Sequence, residues 1–297
     1  MRNERGQATV LTVVFLGVLL GMAALAIDVG TWYKQKRDMQ AVADAAALAG
    51  AQALPEDPSG ATSLAIQYAS TNGLTLSPSD ITFSDEITPH DTINVHASST
   101  ANGVFAKAFG IDTLSVGAAA SARSDNVDQA RYVAPIGVDI SHPLLSGSGC
   151  PCFGQSTTLD LTKTGPGAFR LLNIDGSSGG TSPDTLASWM ESGLDSFMGL
   201  GWYSSDPGAK FNASQMQGAL NARLNTELLF PVYDATRGQG ANLRYDVVGW
   251  VGFYLTGYDG RGSSGLLYGR FTRVIWQGLQ GTSGNADFGV RAVMLVN

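Results

Sequence analysis

The chain has 297 residues, a net charge of −7 and 14% charged residues, where an average protein has about 25%. A nucleic-acid surface needs clustered Lys and Arg; with five lysines in all, the single such cluster is 34–37, which argues against nucleic acid as a partner. An apolar fraction of 44%, 37 glycines and abundant Ser and Thr suit a β-rich, turn-rich protein better than a helical cytosolic enzyme.

Residues 6–27 contain no charge, and 8–27 read ATVLTVVFLGVLLGMAALAI. Twenty residues of helix reach about 30 Å, the thickness of the hydrocarbon layer. A cleavable signal peptide is the rival reading, but its apolar region is roughly 7–15 residues long and ends at a small-x-small site. This run is longer and continues without a turn residue, so it reads as an uncleaved anchor. Gly17 and Gly21 form a G-x-x-x-G pair, which is either chance in an apolar run or a face for close helix packing. Arg2 and Arg5 precede the span, and Lys34, Lys36 and Arg37 follow it. A count of flanking cations therefore does not favour a cytoplasmic N-terminus, whereas the very short N-terminal tail and the Lys-poor remainder do.

From Asp28 the helical pattern runs on to about residue 53, and Pro55 with the following EDPSG ends it. The result is one helix of roughly 70 Å. Trp32 and Tyr33 stand where interfacial aromatic anchors belong, and Lys34 can pair with Asp38 four residues on. Ala41, Ala45, Ala49 and Ala53 line one face, and Ala43, Ala47 and Ala51 the neighbouring one. Asp44 is read as facing water.

Arg5, Gly6 and Gln7 before the span, then Asp28, Gly30, Tyr33, Lys36, Arg37, Gln40 and the run ADAAALA at 43–49, closely resemble the N-terminal region of TadE/TadG-like proteins of the Tad (Flp) pilus-assembly system. The likeness covers about residues 5–54. A second set of positions is similar to the stretch that follows in relatives: Tyr68, Ala69, Asn72, Gly73, Phe105, Ala106, Phe109, Gly110, Ile111 and the Ala-rich 116–122. The resemblance implies an N-in, C-out, single-pass protein of the cytoplasmic membrane. It implies other Tad/Flp proteins and the bilayer as partners, and no catalytic residue. Prepilins carry a Glu five residues after a Gly cleavage site. Counting from Gly6, that position is Leu11. An acid in the span could set subunit register by pairing with a neighbour, so its absence favours an accessory or anchoring role over a major fibre subunit.

The fold class expected is α+β: a long N-terminal transmembrane and juxtamembrane helix (1–54), a small α+β subdomain (60–124) and a larger, mostly-β extracytoplasmic part (130–297). In the first subdomain the pattern predicts a helix at 62–72, strands near 80–86 and 92–99, a short helix at 102–109 and a strand at 113–123. The polar run SDNVDQ at 124–129 reads as a linker. Beyond it, strands are expected at 132–140, 157–161, 169–174, 245–258, 265–277 and 288–296, divided by Gly-rich turns such as DGSSGG and YDGRGSSG. Helices are expected at 185–192 and 213–227, the latter from Met216, Leu220, Leu224 and Leu228 recurring on one face. Trp250, Phe253, Tyr254 and Trp276 read as core or sheet-face residues.

Chemistry is sparse. Cys150 and Cys152 flank Pro151, and one pair cannot staple a domain of this size. They are either two thiols or a short loop disulfide, since a Cys-x-Cys metal pair needs further ligands. His90, His96 and His142 make no metal spacing and read as surface or loop residues. Ser124, Asp125 and Asn126 with Lys163, Thr164 and Gly165 mimic penicillin-binding enzymes, but the required Ser-x-x-Lys is missing. Asp139 and Ser141 open an adhesion-type metal pattern that Pro143 interrupts. Asn173, Asp175 and Gly176 fit a turn better than a calcium loop. No cofactor is implied. The reading is a structural, membrane-anchored accessory protein of the pilus, not an enzyme, with a membrane-tethered surface hydrolase or a non-pilus adhesion module as alternatives.

Overall fold

The computed structural model describes residues 4–206, 208–261, 265–280 and 286–296, with side chains described from residue 8 on except at 208, 241 and 280. Arg2, the side chain of Arg5 and positions 262–264 of the YDGRGSSG turn lie outside the described residues. The fold is α+β, a long apolar helix followed by a mostly-β region. Two compact units are formed, one from residues 1–124 with 293–297 and one from 125–292.

In the first unit, α1 (Glu4–Ala51) is a single 48-residue helix. Helix α2 (Pro58–Thr71) begins four residues before the pattern predicts, because Asp57 accepts a hydrogen bond from Gly60 N–H and Pro58 occupies the first helical position. Strands β1 (Ile81–Ser84), β2 (Thr92–Asn102) and β3 (Thr113–Ala130) pair antiparallel in chain order. β2 runs to Asn102, and the helix expected at 102–109 shrinks to a 3-10 turn at Ala106–Phe109. The core is made of small side chains. Ala43, Ala46, Ala47 and Ala51 of α1 and Ala61, Ala65 and Ala69 of α2 are buried with Ile93, Val95 and Ala122. Gly50 shows why: a Cβ there would stand 2.9 Å from the Ala61 carbonyl oxygen and 2.5 Å from Ile93 Cδ1. Asp91 anchors the loop ahead of β2. Its buried carboxylate accepts from the N–H groups of Glu86, Ile87 and Thr88 at 3.1, 2.7 and 2.9 Å. Burial pushes its pKa up, but those three donors and the Thr92 hydroxyl outweigh it and hold the group below the ordinary carboxylate value.

The stretch 124–129 is not a linker but strand. In β3 Val127 and Ala130 are buried, and Gln129 and Ala130 pair with two further strands described below. The polar residues there do not prevent pairing, because a ladder uses backbone groups and asks only that alternate side chains find cover.

The second unit continues with β4 (Ile136–Asp139), α3 (Pro143–Ser146), β5 (Ser156–Asp160), β6 (Phe169–Asn173), α4 (Pro183–Ser192), β7 (Met198–Gly199) and β8 (Gly201–Asp206). Then come α5 (Ser214–Ala222), β9 (Glu227–Arg237), β10 (Arg244–Asp259), β11 (Leu266–Thr272), β12 (Val274–Ile275), β13 (Gly278–Gln280) and β14 (Val290–Val296). β10, β8, β6, β4 and β9 form a closed, barrel-like ring, because β9 pairs back on β10, while β11 and β5 extend the sheet from β10. Register shifts at 246–249 and 255–257 let the long β10 serve three neighbours. Phe230 stacks on Phe253 at 5.1 Å, and Phe253 meets Phe271 edge-on at 5.6 Å in its core. Gln129 and Ala130 of β3 pair with β13 on one side and β7 on the other, and the Trp250 and Trp276 indoles donate to the carbonyls of Val127 and Arg131. The strand expected at 265–277 breaks after Thr272, and its continuation, β12, pairs with β14 instead. The helix expected at 213–227 stops at Ala222. Asn225 adopts φ 58°, and Leu228 is buried as a strand residue of β9, not on a helical face with Met216 and Leu220.

Candidate functional site at the root of the long helix

Among the described residues one helix, α1, is long and apolar enough to cross a membrane. From Val10 to Ile27 its large side chains are 46–70% exposed. In water that face would be a liability, whereas in hydrocarbon it needs no partner.

Among the described residues, Asp28 is the first buried side chain along α1, at 0% exposure, and from it onward one face of the helix is covered. Its carboxylate accepts from three successive backbone N–H groups across the unit: Val104 at 3.0 Å, Phe105 at 3.0 Å and Ala106 at 2.5 Å. Three converging donors stabilise the anion where water is excluded. Above it the attachment is repeated. Trp32 Nε1 donates to the Asn102 carbonyl at 3.2 Å, Gln35 Nε2 to Ser99 Oγ and the Thr100 carbonyl, and Gln40 Nε2 to the Ala119 carbonyl. Gln40 also donates to Asp44, which is half-buried. The inward residues 28, 32, 35, 39, 43, 46 and 50 recur in steps of three and four, as one helical face requires. Below this root the stretch 104–114 carries Val104, Phe105, Phe109, Ile111 and Leu114 exposed. With Gly21, Ala24, Leu25, Asp28 and Trp32, part of that stretch encloses an apolar cavity of about 370 Å³.

Residues 6–53 match the family model described as putative Flp pilus-assembly TadE/G-like. The resemblance read from the residues is thus shown for the N-terminal region, which supports a pilus-related role. The match ends two residues past α1, so the TadE/G-like segment is this helix, apolar half and packed half together. No curated protein and no solved structure matches the chain.

Within the TadE/G-like segment, Gly17 and Gly21 have nothing within 4 Å of where a Cβ would stand. At 3.6 residues per turn, both lie within about 20° of the azimuth of Asp28. The bare small-residue face therefore points the same way as the side of α1 that enters the fold, directly beneath the 104–111 turn. Trp32 is half-buried and committed to Asn102, while Tyr33 is 64% exposed. Tyr33 and Lys36 line an open groove of about 300 Å³ with residues 114–117 of β3. Arg37 is exposed, and Lys34 Nζ meets Asp38 at 2.7 Å. The partners of Asp28 lie more than 70 residues away. Sequence reasoning placed Asp28 at the membrane edge, as the acid closing a charge-free run and as a residue of the TadE/TadG-like pattern, but neither signal pointed to its partners.

Elsewhere, Cys150 and Cys152 are joined in a disulfide. His90 and His96 are exposed. His142, expected at the surface or in a loop, is in the loop that leads into α3 but is buried: Nδ1 accepts from Leu144 N–H at 3.1 Å, Nε2 lies 3.0 Å from Thr157 Oγ1, and the ring meets Phe271 edge-on at 4.9 Å. Burial lowers its pKa, partly offset by the Asp139 carboxylate. A ring nitrogen capping a helix start has a use only when neutral, and this explains a buried imidazole without catalysis. Asp139 accepts from Ser141 N–H and Oγ, and Asp175 from Ser177 N–H, so both acids close local turns. Among the described residues no group of three His, Cys, Asp or Glu side chains could hold a metal ion.

Proposed function

We propose that the chain is a membrane-anchored accessory component of Tad (Flp) pilus assembly or anchoring, pseudopilin-like in layout and structural in role. The observation that carries this is a coincidence of extents. The TadE/G-like match covers 6–53, and all but its last two residues form one helix that is bare and apolar in its first half and built into a folded unit in its second. An element of that design holds a folded mass at a membrane and performs no bond chemistry.

On this reading the N-terminus is cytoplasmic and residues 60–124 and 130–297 are extracytoplasmic. Gly17 and Gly21 offer a packing face to another span, and Tyr33, Lys36 and Arg37 stand at the headgroups. The partners are the bilayer and other Tad/Flp proteins. The absence of an acid at Leu11 and throughout the span fits an anchoring part better than a filament subunit.

The test is affinity purification of the full chain from gently solubilised membranes, with and without in-cell crosslinking. Copurification of pilus-assembly proteins, together with digestion of a C-terminal tag by protease added to spheroplasts, is the expected result. Normal piliation and attachment after deletion of the gene would overturn the proposal.

A further inference from the structure

We infer that residues 104–114 form a second membrane contact: an apolar turn that dips into the same leaflet the helix leaves. The inference rests on the anchoring reading above and adds a surface to it.

Five large apolar side chains fall within eleven residues: Val104 is 61% exposed, Phe105 44%, Phe109 83%, Ile111 46% and Leu114 42%. Nothing in the first unit covers Phe109, and a phenyl ring left in water at the tip of a 3-10 turn is unfavourable. The turn cannot swing away, because its N–H groups at 104–106 are held by Asp28. It faces toward the apolar half of α1, since Gly21, Ala24 and Leu25 wall the same cavity as Phe105, Phe109 and Ile111. Gly21 lies seven residues before Asp28, about 10 Å down the helix axis. Any bilayer that holds Leu25 and Gly21 therefore reaches the turn, and the exposed apolar surface of the span continues onto it without a polar break. The occupant is the lipid of that leaflet, with an acyl chain in the cavity between turn and helix. Lys107, on the 3-10 turn, is exposed and long enough to reach phosphate level with its stem in the apolar zone. Asp112, the acid of this stretch, is exposed and would sit among the headgroups. A buried Asp28 beside the hydrocarbon is tolerable because its carboxyl oxygens accept three N–H bonds, where one without partners would not be.

The experiment labels the full chain, disulfide intact, at one introduced thiol at a time: Leu16→Cys in the span, Phe109→Cys in the turn and His96→Cys on exposed β2. These side chains are all exposed, so the fold is kept. Each protein is placed singly in lipid nanodiscs, and depth is read with a lipid-soluble and a water-soluble spin relaxant. The expected result is that 109 reads as lipid-exposed, as 16 does, but shallower than 16, about 5–10 Å below headgroup level, while 96 reads as aqueous. A label at 109 that reads as aqueous while 16 reads as buried overturns the second contact and leaves the anchor intact. Aqueous readings at both overturn the anchoring reading and this inference with it. Shielding of 109 from both relaxants in crowded vesicles, lost at one copy per disc, would assign the face to a second copy instead.

Discussion

Replacing Asp28 by Ala removes the acceptor for three N–H groups in one step. The Ala106 donor is buried and the Val104 and Phe105 donors part-buried, so water can re-satisfy only some of them. An orphaned buried donor costs about 1–3 kcal/mol, and hydrogen bonds to a charged group are worth about 1.5–3 kcal/mol each. The desolvation of the lost carboxylate offsets part of this, leaving a net loss of about 3–5 kcal/mol for holding the turn against the helix. At 1.4 kcal/mol per factor of ten, amide exchange at residues 104–106 should accelerate by at least about 100-fold. Asp28→Asn keeps the shape and one acceptor oxygen but not the charge, and should fall between. Hydrogen exchange on the full chain in nanodiscs, read at residues 104–106 and at the β2–β3 ladder, separates local release from global loss. If exchange at 104–106 in Asp28→Ala stayed within about threefold of the parent, well under 1 kcal/mol, the carboxylate would not be what fastens the turn and the reasoning would fail.

Other outcomes follow from the same geometry. Gly50→Val drives a branched side chain against the Ala61 carbonyl and Ile93 and should cost about 1–3 kcal/mol by denaturant midpoint. Gly17→Ile, with open space around it, should leave stability within about 0.5 kcal/mol yet reduce crosslinking between spans. Because burial lowers the pKa of His142, its contribution is complete above the unfolded value of 6.5 and is lost as pH falls through the lower folded value. Wild type minus His142→Gln, compared at pH 8 and pH 5, should show this loss, and a pH-independent difference would refute it. Reducing the Cys150–Cys152 bond, which closes a loop of sequence separation 2, should lower stability by no more than about 1–2 kcal/mol, read by calorimetry.

The long helix was legible because a charge-free apolar run of twenty residues continues without a turn residue into the alanines as far as Pro55, and the closed ring of strands was not. The start of β9, Glu227 and Leu228, was read with the preceding helix, because Leu224 and Leu228 fit a four-residue step as well as they fit a turn and a strand, and the rest of β9 was not expected as a strand. The Asn225 conformation that decides between them is a backbone property. The run SDNVDQ looked like a linker because polarity signals exposure, yet backbone pairing with Gly199 of β7 and Gln280 of β13 and the indole of Trp250 give it cover from parts of the chain remote in sequence. The burial of His142 was hidden for a related reason: a loop position carries no sign of its cover, and Phe271 is remote in sequence. Of the candidate site, Asp28, Trp32 and the glycines stood out as residue types at a boundary, but their partners at 99–106 depend on how β2 ends.

The unbroken run of α1 from Glu4 to Ala51 leaves no swivel at the lipid surface. Any turn of the span about its own axis must turn the first unit by the same angle, and a tilt of the span becomes sideways travel of that unit. A protein that gripped the lower part of this rod would therefore set the compass bearing of the folded mass above it, and load applied to that mass would arrive in the bilayer as torque.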